Sequence, residues 1–264
     1  MNRIDALFRH TRAQGRAALM PYLTLGYPTL NAALELVPAL LDAGADLIEL
    51  GIPFSDPLAD GATIQTASQQ ALDAGMTPAL ALEQVARLRA TGVDAPLVLM
   101  TYMNPVVQMG VKAFAREAAQ AGADGVIVPD APPEEARPLE EALAAHGLAL
   151  IYLAAPTTPR PRLAWLARRT RGFLYLVSLT GVTGARRALP PDLEALVARA
   201  RGVTDKPLAV GFGIATPEQA ARVARVADGV IVGSALLRAI AASAGEPASA
   251  ARRFVARLRD ALGP

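Results

Sequence analysis

One phrase recurs along this chain and restricts its fold more than any other feature: a glycine or Asp-Gly signal followed at once by a short aliphatic run. It reads Ala43-Gly-Ala-Asp-Leu-Ile-Glu-Leu, then Ala121-Gly-Ala-Asp-Gly-Val-Ile-Val, then Val226-Ala-Asp-Gly-Val-Ile-Val. Each copy follows an Ala/Leu-rich stretch with apolar residues at i, i+3 and i+4. The glycine suits a helix C-terminus, where the chain turns left-handed. The run after it does not alternate, which is the pattern of a parallel strand covered on both faces. The same grammar gives eight predicted strands, at Leu19–Leu25, Leu47–Ile52, Leu97–Tyr102, Val126–Pro129, Leu148–Leu153, Phe173–Ser178, Leu208–Phe212 and Val230–Gly233. Helical stretches separate them at roughly 22–35 residues, as βα units require. The second unit runs to about fifty residues and therefore carries an insertion. The expected fold is α/β: a single-domain (β/α)8 barrel over residues 1–264, with an N-terminal helix and an extended loop after strand 2. A doubly wound open sheet is the alternative, because closure is not written in the sequence.

Composition narrows the chemistry. Of 264 residues 52% are hydrophobic, enough for a large core, and the net charge is only +2. Such a balance gives no basic face for nucleic acid. Zero cysteines exclude disulfides, a thiolate nucleophile and Cys-bearing metal sites. His10 and His146 lie far apart and show no metal-ligand spacing, so no metal is expected. Lys112 and Lys206, the only lysines, do not read as the inward strand lysine of a Schiff-base enzyme. No apolar run reaches the ~18 residues of a membrane span. Arg3, Arg9, Arg12 and Arg16 would suit a transit peptide, but Ile4, Leu7 and Phe8 at helical spacing favour a packed first helix. A cytoplasmic protein is expected.

In a barrel of this type the active site forms at the C-terminal ends of the strands. Glu49 lies within an otherwise aliphatic strand. Leu47 and Gly51 share its face, while Ile48, Leu50 and Ile52 face the helices. A carboxylate facing a barrel interior is costly unless it is paired or functional, and burial tunes it toward proton transfer near neutral pH. The following loop, Pro53-Phe-Ser-Asp-Pro-Leu-Ala-Asp-Gly61, carries Asp56 and Asp60 above the mouth. Asp60 precedes a helix beginning near Ala62, so it reads either as a cap or as a second carboxylate aimed at Glu49. Three glycine segments, Thr180-Gly-Val-Thr-Gly184, Gly211-Phe-Gly213 and Gly233-Ser234, follow strands six, seven and eight. Their convergence favours a bound phosphate at backbone N–H groups and a helix N-terminus. Tyr22, Met100, Tyr102, Ile127, Tyr175 and Phe212 are either ordinary core or the lining of a slot for a flat apolar group.

The run Ile48-Glu-Leu-Gly-Ile-Pro-Phe-Ser-Asp-Pro-Leu-Ala-Asp-Gly61 closely resembles the signature of the tryptophan synthase α subunit family. Five further segments agree in the same order: Pro21-Tyr-Leu-Thr-Leu-Gly-Tyr-Pro28, Met100-Thr-Tyr-Met-Asn-Pro105, Val128-Pro-Asp-Ala-Pro-Pro-Glu-Glu135, Ser178-Leu-Thr-Gly-Val-Thr-Gly184 and Val210-Gly-Phe-Gly-Ile214. The resemblance implies a lyase that cleaves indole-3-glycerol phosphate into indole and glyceraldehyde 3-phosphate. It places the paired carboxylates on Glu49 and Asp60, an active-site tyrosine on Tyr175, and the phosphate contacts on Gly184, Gly213, Gly233 and Ser234. Tyr22, Met100, Tyr102, Ile127, Thr183 and Phe212 then form the substrate slot. Ala62 departs from a common proline and Tyr22 from a common phenylalanine; neither change removes a catalytic group. The resemblance further implies an α2β2 assembly with a β subunit that holds pyridoxal phosphate, this chain itself carrying no cofactor. The segment Leu179–Leu189, with Gly181 and Gly184 before the stiff Pro190-Pro191, is expected to be a mobile lid, and the resemblance adds that its closure brings Thr183 toward Asp60. A free-standing indole-releasing lyase remains the alternative. A phosphosugar isomerase would share the glycine loops but gives no reason for the Pro53–Gly61 segment.

Overall fold

The computed structural model describes residues 2–177, 193–211 and 213–263. Nine strands and twelve helices alternate along these segments. A first helix α1 (Arg3–Ala13) precedes β1 (Ala18–Thr24), and α2 (Ala33–Asp42) leads to β2 (Ile48–Gly51). Two helices, α3 (Ala62–Asp73) and α4 (Pro78–Ala90), stand before β3 (Leu97–Met100), which is the insertion expected in the second unit. Next come α5 (Met103–Met109), α6 (Val111–Ala121), β4 (Gly125–Ile127), α7 (Arg137–Ala145), β5 (Ala149–Ile151), β6 (Leu153–Ala154), α8 (Arg160–Arg169) and β7 (Leu174–Val177). The chain continues with α9 (Leu193–Arg201), β8 (Leu208–Gly211), α10 (Pro217–Ala224), β9 (Gly229–Val232), α11 (Ser234–Ala241) and α12 (Pro247–Ala261).

All pairings are parallel, in the order β5-β4-β3-β2-β1-β9-β8-β7-β6. The terminal strands β5 and β6 are two halves of one stave, divided at Tyr152, so the sheet closes on itself as a (β/α)8 barrel. Closure excludes the open-sheet alternative. The split has a local cause. The Tyr152 N–H turns to the Thr170 hydroxyl at 3.0 Å, and the Tyr152 hydroxyl reaches Glu140 at 2.6 Å. The Tyr152 carbonyl still accepts the Tyr175 N–H at 3.0 Å, which carries the ladder across the seam.

The repeated phrase proves to hold a bolt. Its aspartate precedes a strand and accepts an N–H at the start of a neighbouring strand. Asp46 takes Leu19 N–H at 2.8 Å, Asp124 takes Leu97 N–H at 2.9 Å, and Asp228 takes Leu208 N–H at 2.8 Å. Each is also paired with arginine: Asp46 with Arg16, Asp124 with Arg89 and Arg3, and Asp228 with Arg12 and Arg201. Sequence reading took this residue as part of a turn signal. Its structural role joins adjacent staves at the barrel's N-terminal rim.

Helix α1 closes that rim. Asn2 caps it by accepting the Ile4 N–H at 2.9 Å, and Ile4 and Phe8 point inward, as their spacing predicts. Ile4 lies over Gly125 and Gly172, and Phe8 stacks on Phe173 with ring centroids 5.6 Å apart. Burying two such side chains stabilises the closure by about 1.5–3 kcal/mol each. Phe173 in turn meets Tyr175 at 6.4 Å, so packing runs unbroken from the base toward the opposite mouth.

Candidate active site

At that opposite mouth the strand ends and their loops enclose a pocket of about 520 Å3, counted to its open rim. Eight of the predicted site residues line it: Tyr22, Glu49, Asp60, Met100, Tyr175, Gly213, Gly233 and Ser234. Residues remote in sequence meet there because parallel register sets them level. Tyr22 on β1 lies opposite Glu49 on β2, and Gly51 opposite Met100 on β3. Two strand glycines make the space. A Cβ on Gly51 would collide with the Tyr22 hydroxyl, and one on Gly211 with the Tyr175 hydroxyl.

Glu49 and Asp60 are 2% and 4% exposed, and each keeps one carboxylate oxygen without a hydrogen-bond partner among the described residues. An unsatisfied buried carboxylate oxygen costs free energy that nothing in the packing returns. Burial pushes the Glu49 carboxyl up to about 8, and the nearby Asp60 charge adds to the rise. Burial also raises Asp60, to about 6, while a hydrogen bond from the Tyr102 hydroxyl pulls it back down. At neutral pH one carboxyl of the pair is thus protonated and the other ionised. That split is the usual mark of an acid and a charge stabiliser in one site.

The loop explains how Asp60 arrives there. Its N–H donates to the Pro57 carbonyl at 3.0 Å, and its own carbonyl accepts the Gln65 side-chain amide at 2.8 Å. Helix α3 starts at Ala62 behind Gly61, whose position offers no side-chain cap. The capping reading of Asp60 is therefore excluded. Asp56, its neighbour in the motif, stays exposed and accepts the Ser55 hydroxyl at 2.5 Å.

Gly233 and Ser234, the N-cap and first residue of α11, also line the pocket, so a helix N-terminus without a side-chain cap forms part of its wall. Gly213 adopts φ +82°, a left-handed turn that favours glycine. Two predicted residues are placed elsewhere. Ile127 on β4 pairs with Met100 and is fully buried, off the pocket's lining, and Tyr102, also off that lining, accepts the Ala59 N–H of the Asp60 loop at 3.1 Å. Thr183, Gly184 and Phe212, together with the expected lid over Leu179–Leu189, fall outside the described residues.

Sequence reading missed Ile64, Ile214, Ala215, Ile231, Ala235 and Arg238, which complete the wall. Arg238 carried a usable signal. It stands four residues after Ser234, so one helix face presents both to the cavity. Its guanidinium donates to the Thr63 hydroxyl at 3.4 Å, and no carboxylate pairs with it among the described residues. The apolar wall residues carried no such signal, since an inward isoleucine reads the same whether it meets a ligand or the core. Groups of acidic or histidine side chains able to hold a metal are absent among the described residues.

This geometry has close counterparts. A family model described as tryptophan synthase alpha chain matches residues 8–262. The tryptophan synthase alpha chain of Chloroflexus aggregans is 56% identical over 237 residues, 90% of this chain and 89% of that one. That of Roseiflexus sp. is 54% identical over 98% of this chain and 100% of its own. Among solved structures, the tryptophan synthase subunit alpha from Legionella pneumophila superposes with a TM-score of 0.92 at 41% identity, covering 99% of this chain and 98% of that one. Mycobacterium tuberculosis tryptophan synthase gives 0.91 at 41% identity, over 99% and 98% of the two chains. By its sequence, its barrel and the match to this family along nearly its whole length, the chain belongs to the tryptophan synthase α chains.

Proposed function

We propose that Glu49 and Asp60 divide the work of a retro-aldol cleavage in which indole-3-glycerol phosphate gives indole and glyceraldehyde 3-phosphate. The observation that carries this assignment is the buried carboxyl pair, both raised by burial and Glu49 the more, lining one pocket with Arg238 and the N-terminus of α11. Protonated Glu49 delivers its proton to indole C3, which turns the ring into the electron sink. The resulting Glu49 carboxylate then takes the proton of the glycerol hydroxyl next to the ring as the carbon–carbon bond breaks. Asp60 accepts the indole N–H and stabilises the positive charge that develops there. Tyr175 and Tyr22 press on the slot, with Met100 and Ile64 against the flat ring. The phosphate rests on the N-terminus of α11, Gly213, Gly233 and Ser234, with Arg238 supplying charge.

The same reading takes the whole chain as one domain, acting in the cytoplasm as one half of an α2β2 assembly. Its support is an apolar rim beside the catalytic loop. Leu58 is 82% exposed and Val107, on α5, is 55% exposed, and Pro53 and Phe54 of the loop share a groove with Pro105 and Met109 of α5. Contiguous apolar surface at a site's edge is characteristic of an interaction surface. The segment Arg3–Ala13 is packed into the barrel base through Ile4 and Phe8. No described helix is long and apolar enough to cross a membrane.

Indole release from indole-3-glycerol phosphate, measured for the purified chain alone and with a β subunit, tests the whole reading. Indole should form and its rate should rise when the β subunit is present. Failure to produce indole under both conditions overturns the assignment. High unaided activity without complex formation would identify a free-standing lyase instead.

Two further outcomes are expected. The active form needs Asp60 ionised and Glu49 protonated, so kcat should fall below about 6 as Asp60 gains a proton and above about 8 as Glu49 loses one. The two limbs belong to the interacting pair. A pH–rate profile flat from 5 to 9 would contradict the division of roles. Separately, Gly213→Ala and Arg238→Met should each raise KM for the phosphorylated substrate by roughly tenfold, the former through strain at φ +82° and the latter through a lost charge-assisted contact. Unchanged inhibition of both variants by inorganic phosphate would place the phosphate elsewhere.

A further inference from the structure

We infer that Arg238 couples the phosphate end of the pocket to Asp60: its guanidinium joins α11 to the first turn of α3, the turn that carries the Asp60 backbone. The proposal rests on the phosphate and Asp60 roles proposed above. Arg238 lines the pocket four residues after Ser234 and donates to the Thr63 hydroxyl at 3.4 Å, across 175 residues of chain. Among the described residues the Thr63 hydroxyl makes no other hydrogen bond. Thr66, on the same helix, behaves differently. Its hydroxyl folds back onto the Ala62 carbonyl at 2.8 Å, the ordinary choice for a helical threonine. Thr63 reaches to another element instead.

The turn that Thr63 belongs to is bonded to Asp60 on both sides. The Gly61 carbonyl accepts the N–H groups of Ile64 and Gln65, each at 2.9 Å. The Gln65 side-chain amide then reaches back to the Asp60 carbonyl at 2.8 Å. Ile64, next to Thr63, is itself part of the pocket wall. A shift of this turn therefore moves Asp60 and the wall together. The turn has no side-chain cap of its own, since Gly61 stands at the N-cap. Arg238 supplies a tether from outside the helix.

The chemistry of the guanidinium makes the tether responsive. Its five N–H groups lie in one rigid plane, so an oxyanion that engages some of them fixes the direction of the rest. Charge-assisted bonds to a phosphoryl group are stronger than a bond to a neutral hydroxyl. The phosphoryl group thus sets where the guanidinium lies, and Thr63 follows. At 3.4 Å the Thr63 bond is near the outer limit for a hydrogen bond, where a small movement of the donor changes its strength steeply. Binding energy from the phosphate end is in this way applied to the placement of Asp60, and it is expressed in kcat as well as in KM. A residue that only attracted the phosphate would change KM alone.

Indole-3-glycerol, the substrate without its phosphoryl group, separates the two ends of the link. Saturating inorganic phosphate, added in trans, should raise kcat for indole release from it by about tenfold in the unaltered protein. Thr63→Val keeps the shape of the side chain and removes its hydroxyl. In that variant the activation should fall below about twofold, while calorimetric affinity for phosphate stays within about twofold of the unaltered protein. Thr63→Ser retains the hydroxyl and should retain the activation. Thr63→Val added to Arg238→Met should cost no further activation, because the two residues form one link. Full activation in Thr63→Val overturns the proposal, as do losses that add in the double variant or an equal loss in Thr63→Ser. Phosphate that binds the unaltered protein without activating it also overturns the coupling, and leaves the phosphate site standing. Unchanged phosphate affinity in Arg238→Met fails the phosphate reading itself, and the inference with it.

Discussion

Replacing Glu49 by glutamine should reduce turnover of indole-3-glycerol phosphate by roughly 10²–10⁴-fold, the range that a positioned acid–base group contributes. The amide has the shape of the carboxyl but can neither deliver a proton to indole C3 nor remove one from the glycerol hydroxyl. Substrate affinity should change little. Glu49 lies on a strand whose neighbours in register, Tyr22 and Val98, hold the position from both sides, so the pocket keeps its form. The variant removes the group that burial and the neighbouring Asp60 keep protonated near neutral pH. Single-turnover indole formation, together with calorimetric binding of a non-cleavable phosphate ester, measures both quantities. A variant within tenfold of wild-type turnover would mean that the proton moves through another group. The loss should also flatten the alkaline limb of the pH profile, because that limb reports deprotonation of Glu49.

The second large effect concerns folding. Asp124→Ala should destabilise the protein by about 3–5 kcal/mol, as expected when one partner of a buried ion pair is removed. Asp124 has a side chain only 5% exposed and accepts three bonds: Arg89 at 2.6 Å, Arg3 at 3.2 Å and the Leu97 N–H at 2.9 Å. Its loss strands the largely buried Arg89 guanidinium beside an N–H that begins β3. Asp228→Ala should cost less. Its partners Arg12 and Arg201 are 41% and 39% exposed and can turn to water. Urea titration of the two variants should place the Asp124 midpoint clearly below that of Asp228. Equal midpoints would show that the arginine partners, and not burial, set the strength of these bolts.

Much of the barrel was legible because its physics is local. A helix that ends on glycine and hands over to an unbroken aliphatic run can bury that run only in a parallel sheet, and eight repeats of the unit leave few architectures. Strand centres were therefore readable, and so was Glu49, since a lone carboxylate in Leu47-Ile-Glu-Leu stands out against its neighbours. The acidic loop and the glycine segments were equally visible, because each residue type has a restricted use. Two local readings were completed only by the fold. The aspartate of the repeated phrase looked like turn chemistry and serves as an inter-strand bolt, since its partners lie 27 residues away for Asp46 and for Asp124 and 20 away for Asp228. The fifth stave looked continuous and is split at Tyr152, where a distant Thr170 competes for the ladder N–H.

The sequence by itself determined the βα grammar, the inventory of chemistry (two carboxylates, tyrosines and backbone N–H groups, with no thiol and no Schiff-base lysine) and the loops that carry it. Those follow from residue type and spacing, which act within a turn or a strand. Closure of the sheet, the meeting of Glu49 and Asp60 in one pocket, the separation of their proton affinities and the entry of Arg238 were decided by tertiary structure alone. Each depends on distances between residues far apart in the chain, and on the burial those distances create. Electrostatics and desolvation act through space, and the one-dimensional pattern holds no record of that space.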